Sequence, residues 1–216
     1  MDKQTVFSHI DHTILKADAT WEQVDQVCKE AVDNGMASAC IPPRFVKRAK
    51  EKYGNRLAVC TVIGFPLGYN TTRVKVFEAQ QAVLEGADEL DMVIHIGDAK
   101  AGDFDRITEE IREVKAACGG KILKVIVETC ALSESEKEAL CACVSDAGAD
   151  YIKTSTGFGT GGATPEDIEL FKKHIAPEVK MKASGGIRTK EAIEGYIKQG
   201  CARIGASSAL KAYEDQ

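Results

Sequence analysis

Short apolar segments alternate with longer amphipathic segments along almost the whole chain. The apolar segments have the length of buried strands and lie at residues 9–13, 37–41, 56–63, 89–94, 122–127, 151–153, 179–183 and 202–205. The amphipathic segments have a helical period and lie at residues 21–34, 43–52, 71–85, 103–117, 133–147, 164–174 and 189–199, with a last helix from Ser207. Because the two periods alternate regularly, the pattern predicts eight strand–helix units.

The ends of these segments carry the residues expected of such units. A glycine, for which a left-handed C′ conformation is accessible, ends the helix before the next strand at Gly35, Gly86, Gly148 and Gly200. Repeated strand–helix units imply a parallel sheet with right-handed crossovers. Eight units in 216 residues favour a closed (β/α)8 barrel, the TIM barrel, over an open doubly wound sheet. No linker or low-complexity segment divides the chain, so residues 1–216 are expected to form a single domain.

Composition narrows the function classes and the compartment. The net charge of -5 and the absence of a Lys/Arg block argue against a nucleic-acid-binding surface, so an anionic ligand needs a local site. No segment is apolar enough for a membrane span, and the first residues lack the apolar core of a signal peptide. The eight cysteines are scattered without a C-x-x-C pair, which is typical of buried thiols in a reducing cytoplasm and not of a zinc site.

Four charged residues lie inside or at the ends of the predicted strands four to seven: Asp91, Lys124, Lys153 and Lys182. The active site of such a barrel lies at the carboxyl ends of its strands, so these side chains are expected to converge. A single lysine near a strand end would more simply be a solvated side chain. Burial and a neighbouring cation favour the neutral amine, which can attack a carbonyl and form a Schiff base. Spacing alone does not decide whether Lys153 or Lys182 is the nucleophile.

Two loops after the last two predicted strands have the composition of a phosphate site. They read S-G-G-I-R-T at 184–189 and G-A-S-S-A at 205–209. Barrels of this class often bind phosphate at these two loops through backbone N–H groups. Gly185 and Gly186 allow close backbone approach, and Ser207 and Ser208 offer hydroxyl and N–H donors. The alternative for each loop alone is ordinary turn chemistry.

A third glycine-rich loop, K-T-S-T-G-F-G-T-G-G-A-T-P at 153–165, begins at one of the candidate lysines. It does not match the Walker pattern, because no Lys-Ser/Thr pair follows its last glycine. We interpret it as a loop that covers the substrate; the alternative is a plain mobile connection.

Several segments together resemble the deoxyribose-phosphate aldolases, a family of class I aldolases that work through a lysine Schiff base. The resemblance runs from residue 10 to residue 208 and is carried by V-C-T-V-I-G-F-P-L-G (59–68), E-L-D-M-V-I (89–94), L-K-V-I-V-E-T-C (123–130), G-A-D-Y-I-K-T-S-T-G-F (148–158) and K-A-S-G-G-I-R (182–188). It implies reversible cleavage of 2-deoxyribose 5-phosphate to glyceraldehyde 3-phosphate and acetaldehyde, with no metal and no organic cofactor. It also implies a small phosphorylated sugar as the ligand and a homodimer.

The resemblance assigns roles to residues. Lys153 would form the Schiff base, Lys182 would keep the Lys153 amine free and join proton transfer, and Asp91 would be the partner in the proton relay. Gly185, Gly186, Ser207 and Ser208 would hold the phosphate, and Asp11, Thr13, Cys40 and Lys124 would lie in or beside the pocket. Two alternatives stay open from sequence: another lysine-dependent barrel aldolase, and a phosphosugar-binding barrel without catalysis.

Three positions depart from the family pattern. His95 stands where close relatives usually have asparagine, and Pro42 follows Cys40 and Ile41 where asparagine is frequent. The chain also ends soon after the last helix, as K-A-Y-E-D-Q, whereas many relatives have a longer tail with a tyrosine near its end. Tyr213 is the candidate substitute for that tyrosine.

Overall fold

Eight short parallel strands close into a barrel in the computed structural model, which describes residues 1–214 of the chain. The strands are β1 (Ile10–Thr13), β2 (Ser38–Cys40), β3 (Val59–Ile63), β4 (Glu89–Val93), β5 (Ile122–Ile126), β6 (Tyr151–Lys153), β7 (Lys180–Ser184) and β8 (Arg203–Ala206). Each strand pairs in parallel with the next, and β1 pairs with β8 in a register that sets Ile10 opposite Ile204. The predicted (β/α)8 TIM barrel is therefore confirmed.

Helices follow the strands around the outside of the barrel. They are α1 (Lys3–Phe7), α2 (Trp21–Asp33), α3 (Val46–Tyr53), α4 (Thr72–Leu84), α5 (Ile96–Ala101), α6 (Phe104–Ala117), α7 (Glu134–Asp146), α8 (Pro165–His174), α9 (Lys190–Gln199) and α10 (Ala209–Glu214). Each of the eight predicted helices is present, with bounds that differ by a few residues. The short helices α1 and α5 were not predicted, because five or six residues are too few to give a helical period.

One predicted strand began too early. The segment 56–63 was predicted as a strand, but β3 starts at Val59, and residues Gly54–Arg56 form a 3-10 turn. Gly54 has φ 58°, a left-handed conformation that ends α3 and turns the chain toward β3. Leu57 is buried against the core and gave the apolar signal that lengthened the prediction.

Alternating side chains on the strands divide the interior into two regions. Leu90 and Met92 of β4 and Leu123 and Val125 of β5 belong to the apolar core between barrel and helices. The residues between them point the other way, because successive side chains in a strand face opposite sides of the sheet. Asp91 is one of these, so the inside of the barrel receives charged groups while the apolar core lies outside it.

Among the described residues, no helix has the length and apolar character needed to cross a lipid bilayer.

Candidate active site

Asp91 is the centre of a buried ionic cluster inside the barrel. Its Oδ2 accepts hydrogen bonds from Lys153 Nζ and from Lys182 Nζ, each at 2.7 Å. Its Oδ1 accepts one from Lys124 Nζ at 2.8 Å. The barrel register explains the meeting, because Asp91 lies opposite Lys124 on β5 and Lys153 lies opposite Lys182 on β7. The four strand residues that were expected to converge are thus brought together.

A second layer of ion pairs supports this cluster. Asp11 Oδ2 lies 2.5 Å from Lys182 Nζ, and Asp11 Oδ1 accepts from Arg203 and from Ser38, each at 2.8 Å. Glu89 contacts Lys124 Nζ at 2.6 Å and binds Arg203 through two hydrogen bonds of 2.7 and 2.8 Å. The layer ties β1 to β8, so the same charges that surround the lysines also link the first strand to the last.

The pKa values inside the cluster follow these pairings. Burial alone would raise the pKa of Asp91, but Lys124, Lys153 and Lys182 hold it well below its usual range. Burial alone would lower the pKa of Lys182, but the carboxylates of Asp11 and Asp91 raise it above its ordinary value. The pKa of Lys124 is raised for the same reason. The sequence had suggested that burial would lower a lysine pKa; for Lys124 and Lys182 this is wrong, because buried carboxylates outweigh desolvation.

A cavity of about 490 Å³ opens at the carboxyl ends of the strands. Within residues 1–214, Lys153 is the one member of the ionic cluster that lines it. Thr13, Gly185, Gly186 and Ser207 also line it, as the sequence had suggested for a pocket. The other predicted site residues are not among its lining residues: Asp11, Cys40, Asp91, Lys124, Lys182 and Ser208. Of the amines in the cluster, the cavity therefore borders on that of Lys153, while Asp91, Lys124 and Lys182 are fully buried.

The two predicted phosphate loops form one wall of this cavity. Gly185 and Gly186 have φ of 85° and 74°, which favour glycine, and a Cβ at Gly186 would meet nothing within 4 Å. Arg188 also lines the cavity. The hydroxyls of Ser155 and Ser208 are buried without a hydrogen-bond partner. The Arg188 guanidinium and the backbone of Gly185 and Gly186 at this wall are suited to an oxyanion, whereas Ser155 and Ser208 are not among the residues that line the cavity.

Some site residues were missed from the sequence. Glu89 and Arg203 are charged residues within strands, the same signal that pointed to Asp91. Lys16 follows β1, and Thr156 and Phe158 follow β6; all three line the cavity. The positions of Thr156 and Phe158 depend on loop geometry, which the glycine-rich composition of 153–165 alone does not determine.

The side chains of His95 and Tyr213 make their hydrogen bonds with residues outside the ionic cluster. His95 is the N-cap residue of α5, and its Nδ1 accepts a hydrogen bond from Asp98 N at 3.0 Å. Pro42 precedes the 3-10 turn Pro43–Phe45. Tyr213 donates to Glu194 at 3.1 Å and packs against Phe7, so its hydroxyl is engaged outside the cavity. Residues 215–216 of the tail lie outside the described residues.

Among the described residues, two groups of buried side chains have the donor spacing of a metal site: Cys40, Cys60 and Asp91, and Asp11, Cys60 and Glu89. The carboxylates in both groups are already paired with lysine or arginine. A metal cation would have to enter among four fixed positive side chains, which Coulomb repulsion disfavours. The arrangement suits amine chemistry better than metal binding.

Comparisons with known proteins agree with this geometry. The family model of the DeoC/LacD family aldolases matches residues 5–214. The deoxyribose-phosphate aldolase of Clostridium botulinum is 53% identical over 210 residues, covering 97% of this chain and 95% of that protein. The enzyme of the same name from Streptococcus agalactiae is 50% identical over 216 residues, covering 100% of this chain and 97% of that protein. The solved deoxyribose phosphate aldolase of Aeropyrum pernix, described as tetrameric, superposes with a TM-score of 0.92 at 33% identity, covering 99% of this chain and 92% of that chain.

Proposed function

The chain belongs to the DeoC/LacD family of aldolases, and we propose that it cleaves 2-deoxy-D-ribose 5-phosphate reversibly to D-glyceraldehyde 3-phosphate and acetaldehyde. The enzyme is an aldolase, a carbon–carbon lyase. The observation that carries the proposal is the position of Lys153. Its side chain opens onto a cavity with a phosphate-type wall, while its Nζ lies 2.7 Å from a buried carboxylate.

The charge balance of the cluster supports Lys153 as the nucleophile. Four cationic side chains (Lys124, Lys153, Lys182 and Arg203) face three carboxylates (Asp11, Glu89 and Asp91). Loss of one proton therefore leaves the cluster neutral. Lys124 and Lys182 hold their protons firmly because carboxylates raise their pKa. We infer that the reactive amine is Lys153, which also lines the cavity.

The reaction then runs through an iminium. The Lys153 nitrogen bonds to the aldehyde carbon of the open-chain sugar, and loss of water gives the iminium, which acts as an electron sink. Removal of the proton from the C3 hydroxyl breaks the C2–C3 bond and releases glyceraldehyde 3-phosphate. The remaining enamine is protonated at C2, and water releases acetaldehyde and the free amine.

Asp91 and Lys182 are proposed as the relay for the C3 hydroxyl proton. Both side chains are fully buried beside Lys153 and do not line the cavity. A water molecule in the cavity must therefore carry the proton between them and the substrate. The phosphate loops hold the far end of the sugar through Gly185, Gly186, Ser207 and Ser208. This binding keeps the aldehyde in register with Lys153.

We also infer the setting of the enzyme. All eight cysteines are free, which supports a reducing cytoplasm. The closed barrel supports one aldolase domain over the chain. Exposed apolar side chains on and before α4 (Leu67, Tyr69, Phe77 and Leu84) support a homodimer. Sedimentation equilibrium at micromolar concentration tests the last point, and a monomer would contradict it.

Borohydride trapping with acetaldehyde tests the nucleophile. Reduction of the imine should leave one ethyl group on Lys153, identified by intact mass and peptide mapping. Lys153→Arg, which keeps the charge beside Asp91, should abolish both the label and turnover. A label on Lys182 or Lys124 would refute the assignment of roles, and no label on folded protein would refute the Schiff base itself.

The phosphate wall is tested at Ser208. Ser208→Asp places a negative charge where the phosphate is proposed to bind, so KM for deoxyribose phosphate should rise by about a hundredfold or more. Ser208→Ala removes the hydroxyl without adding charge and serves as the matched control, with a much smaller rise. An equal rise for unphosphorylated deoxyribose would place the phosphate elsewhere.

A further inference from the structure

Glu128 fixes the start of the loop that follows the Schiff-base strand. Its Oε2 accepts a hydrogen bond from Thr156 Oγ1 at 2.5 Å, and its Oε1 accepts from Thr156 N at 3.2 Å. Thr156 Oγ1 in turn accepts from Phe158 N at 3.0 Å. Both Thr156 and Phe158 line the cavity. The Glu128 carboxylate therefore positions two residues that line the cavity.

The backbone of Glu128 is strained in order to place this carboxylate. Glu128 has φ 60° and ψ 65°, and it is the one non-glycine residue with positive φ among the described residues. The residues on either side of Glu128 are hydrogen-bonded to the end of β6. Val127 N donates to Lys153 O at 3.0 Å, and Thr129 N donates to O of the following residue, Thr154, at 2.9 Å. Left-handed backbone at a glutamate costs free energy, and such strain tends to persist at functional sites.

The carboxylate is also buried without a cation. Glu128 is 5% exposed, and the described part of the chain pairs no lysine, arginine or histidine with it. A buried carboxylate is unfavourable unless its hydrogen bonds are made. Here they are made almost entirely by Thr156. The Glu128 side chain therefore stabilises the loop that follows β6, residues 154–163, and takes no part in the ionic cluster around Asp91.

The far end of the same loop rests on the phosphate wall. Ala163 N donates to Ser184 O at 3.0 Å and to Gly185 O at 3.3 Å. The backbones touch so closely that a Cβ added to Gly162 would lie 2.0 Å from Gly185 O. Loop 154–163 is thus held at both ends: at Thr156 by Glu128, and at Ala163 by the backbone of Ser184 and Gly185, which belongs to the proposed phosphate site.

We propose that Glu128 is a positioning residue for substrate selection: through Thr156 it holds loop 154–163 so that Phe158 and the Gly185 backbone fit a phosphorylated sugar. This rests on the proposed function. Glu128 touches neither Lys153 Nζ nor Asp91, so its loss should weaken binding of the phosphorylated substrate more than it slows bond cleavage. The expected rise in KM for deoxyribose phosphate is about ten- to a hundredfold, the worth of a charge-assisted hydrogen-bond pair.

Glu128→Gly is the central variant, because glycine adopts the left-handed backbone freely and the fold should survive the loss of the carboxylate. Thr156→Val removes the hydroxyl from the other side and leaves Glu128 in place. Glu128→Gln keeps an acceptor and should recover part of the affinity. Glu178→Gln, at an exposed turn before β7, is the matched control and should leave KM unchanged.

Steady-state KM and kcat should be measured with deoxyribose phosphate and with deoxyribose, together with borohydride labelling by acetaldehyde. The expected result is a KM rise for the phosphorylated substrate alone, labelling of Lys153 as in the wild type, and non-additive effects in Glu128→Gly/Thr156→Val. Unchanged KM in both single variants, or equal losses with both substrates, would overturn the inference. Failure of the wild type to label would instead overturn the proposed function.

Discussion

At the scale of single residues, we expect the charge on Lys182 to control how strongly Asp91 binds the Lys153 ammonium, because both amines contact the same carboxylate oxygen. Lys182→Met removes one of the three cations that Asp91 faces, so Asp91 should bind the Lys153 ammonium more strongly. Turnover at neutral pH should then fall by about a hundredfold or more, and activity should recover partly toward alkaline pH. The measurement is the pH profile of kcat/KM.

Lys182→Arg is the matched control, because it keeps the positive charge but does not release a proton. It should lower the rate while leaving the pH profile in place. Near-wild-type turnover of Lys182→Met would remove Lys182 from the mechanism. A lower rate with an unshifted profile in Lys182→Met would restrict its role to proton transfer.

The sequence predicted which charged residues meet but not how their charges balance. Asp91, Lys124, Lys153 and Lys182 stand out as charged positions in apolar strands, and the structure brings them together. Glu89 and Arg203 carry the same signal but lie at strand starts, where an exposed residue is equally expected. Because these two complete the cluster with Asp11, the direction of the lysine pKa shifts could be derived only from the three-dimensional pairing.

At the scale of elements, a buried ion pair joins two neighbouring helices. Lys75 of α4 is fully buried, and its Nζ lies 2.8 Å from Glu110 Oε2 on α6 and 2.8 Å from Val93 O at the end of β4. Burial lowers the pKa of Lys75, and Glu110 opposes that shift. Glu110→Ala leaves the ammonium buried with one partner fewer, so we expect a loss of about 3–5 kcal/mol in the free energy of unfolding.

Urea unfolding measures this loss. Lys75→Met combined with Glu110→Leu removes both charges and should recover most of the stability, since well-packed apolar pairs often equal buried ion pairs. The control is Asp33→Ala, which breaks the exposed Lys29–Asp33 pair and should cost at most about 0.5 kcal/mol. A double variant as unstable as Glu110→Ala would show that packing, and not the unpaired charge, sets the cost.

A helix or strand could be predicted from the sequence where its apolar residues recur with a regular period. The strands and the long helices have apolar patterns that survive without tertiary context. Helices α1 and α5 do not, being five and six residues long. The burial of Lys75 could not be predicted from the sequence. There it is one more charged residue of an amphipathic helix, and it is buried only because α4 packs against α6.

At the scale of the whole molecule, closure of the barrel followed from the number of units, whereas the distribution of buried thiols required the structure. Cys28, Cys118, Cys141 and Cys201 lie in or next to four different helices and are buried by the packing around the barrel. Burial raises the pKa of Cys28, Cys141 and Cys201 to about 12 and that of Cys118 to about 11. The unfolded chain releases these protons near pH ~8.5.

These thiols should make the fold sensitive to alkali. The pKa of each thiol is higher in the folded than in the unfolded chain. Their contribution to the free energy of unfolding is therefore present below pH ~8.5 and is lost as pH rises toward the folded pKa values. Each thiol lowers the free energy of unfolding by up to about 1.4 kcal/mol per pH unit. Together the four thiols lower it by about 5 kcal/mol per pH unit above pH ~9.5. Asp11 and Asp91 have lowered pKa values, so their contribution is lost only in acid below pH ~4.

Urea midpoints between neutral pH and pH ~10.5 measure the alkaline slope. Cys141→Ala should reduce that slope by about one thiol's share even if it also lowers stability at neutral pH, because the slope counts protons and not packing. Cys130 is exposed, so Cys130→Ala should leave the slope as it is in the wild type. A stability that stays flat to pH ~10.5, or a slope that Cys141→Ala does not change, would mean that the buried thiols ionise without unfolding the barrel.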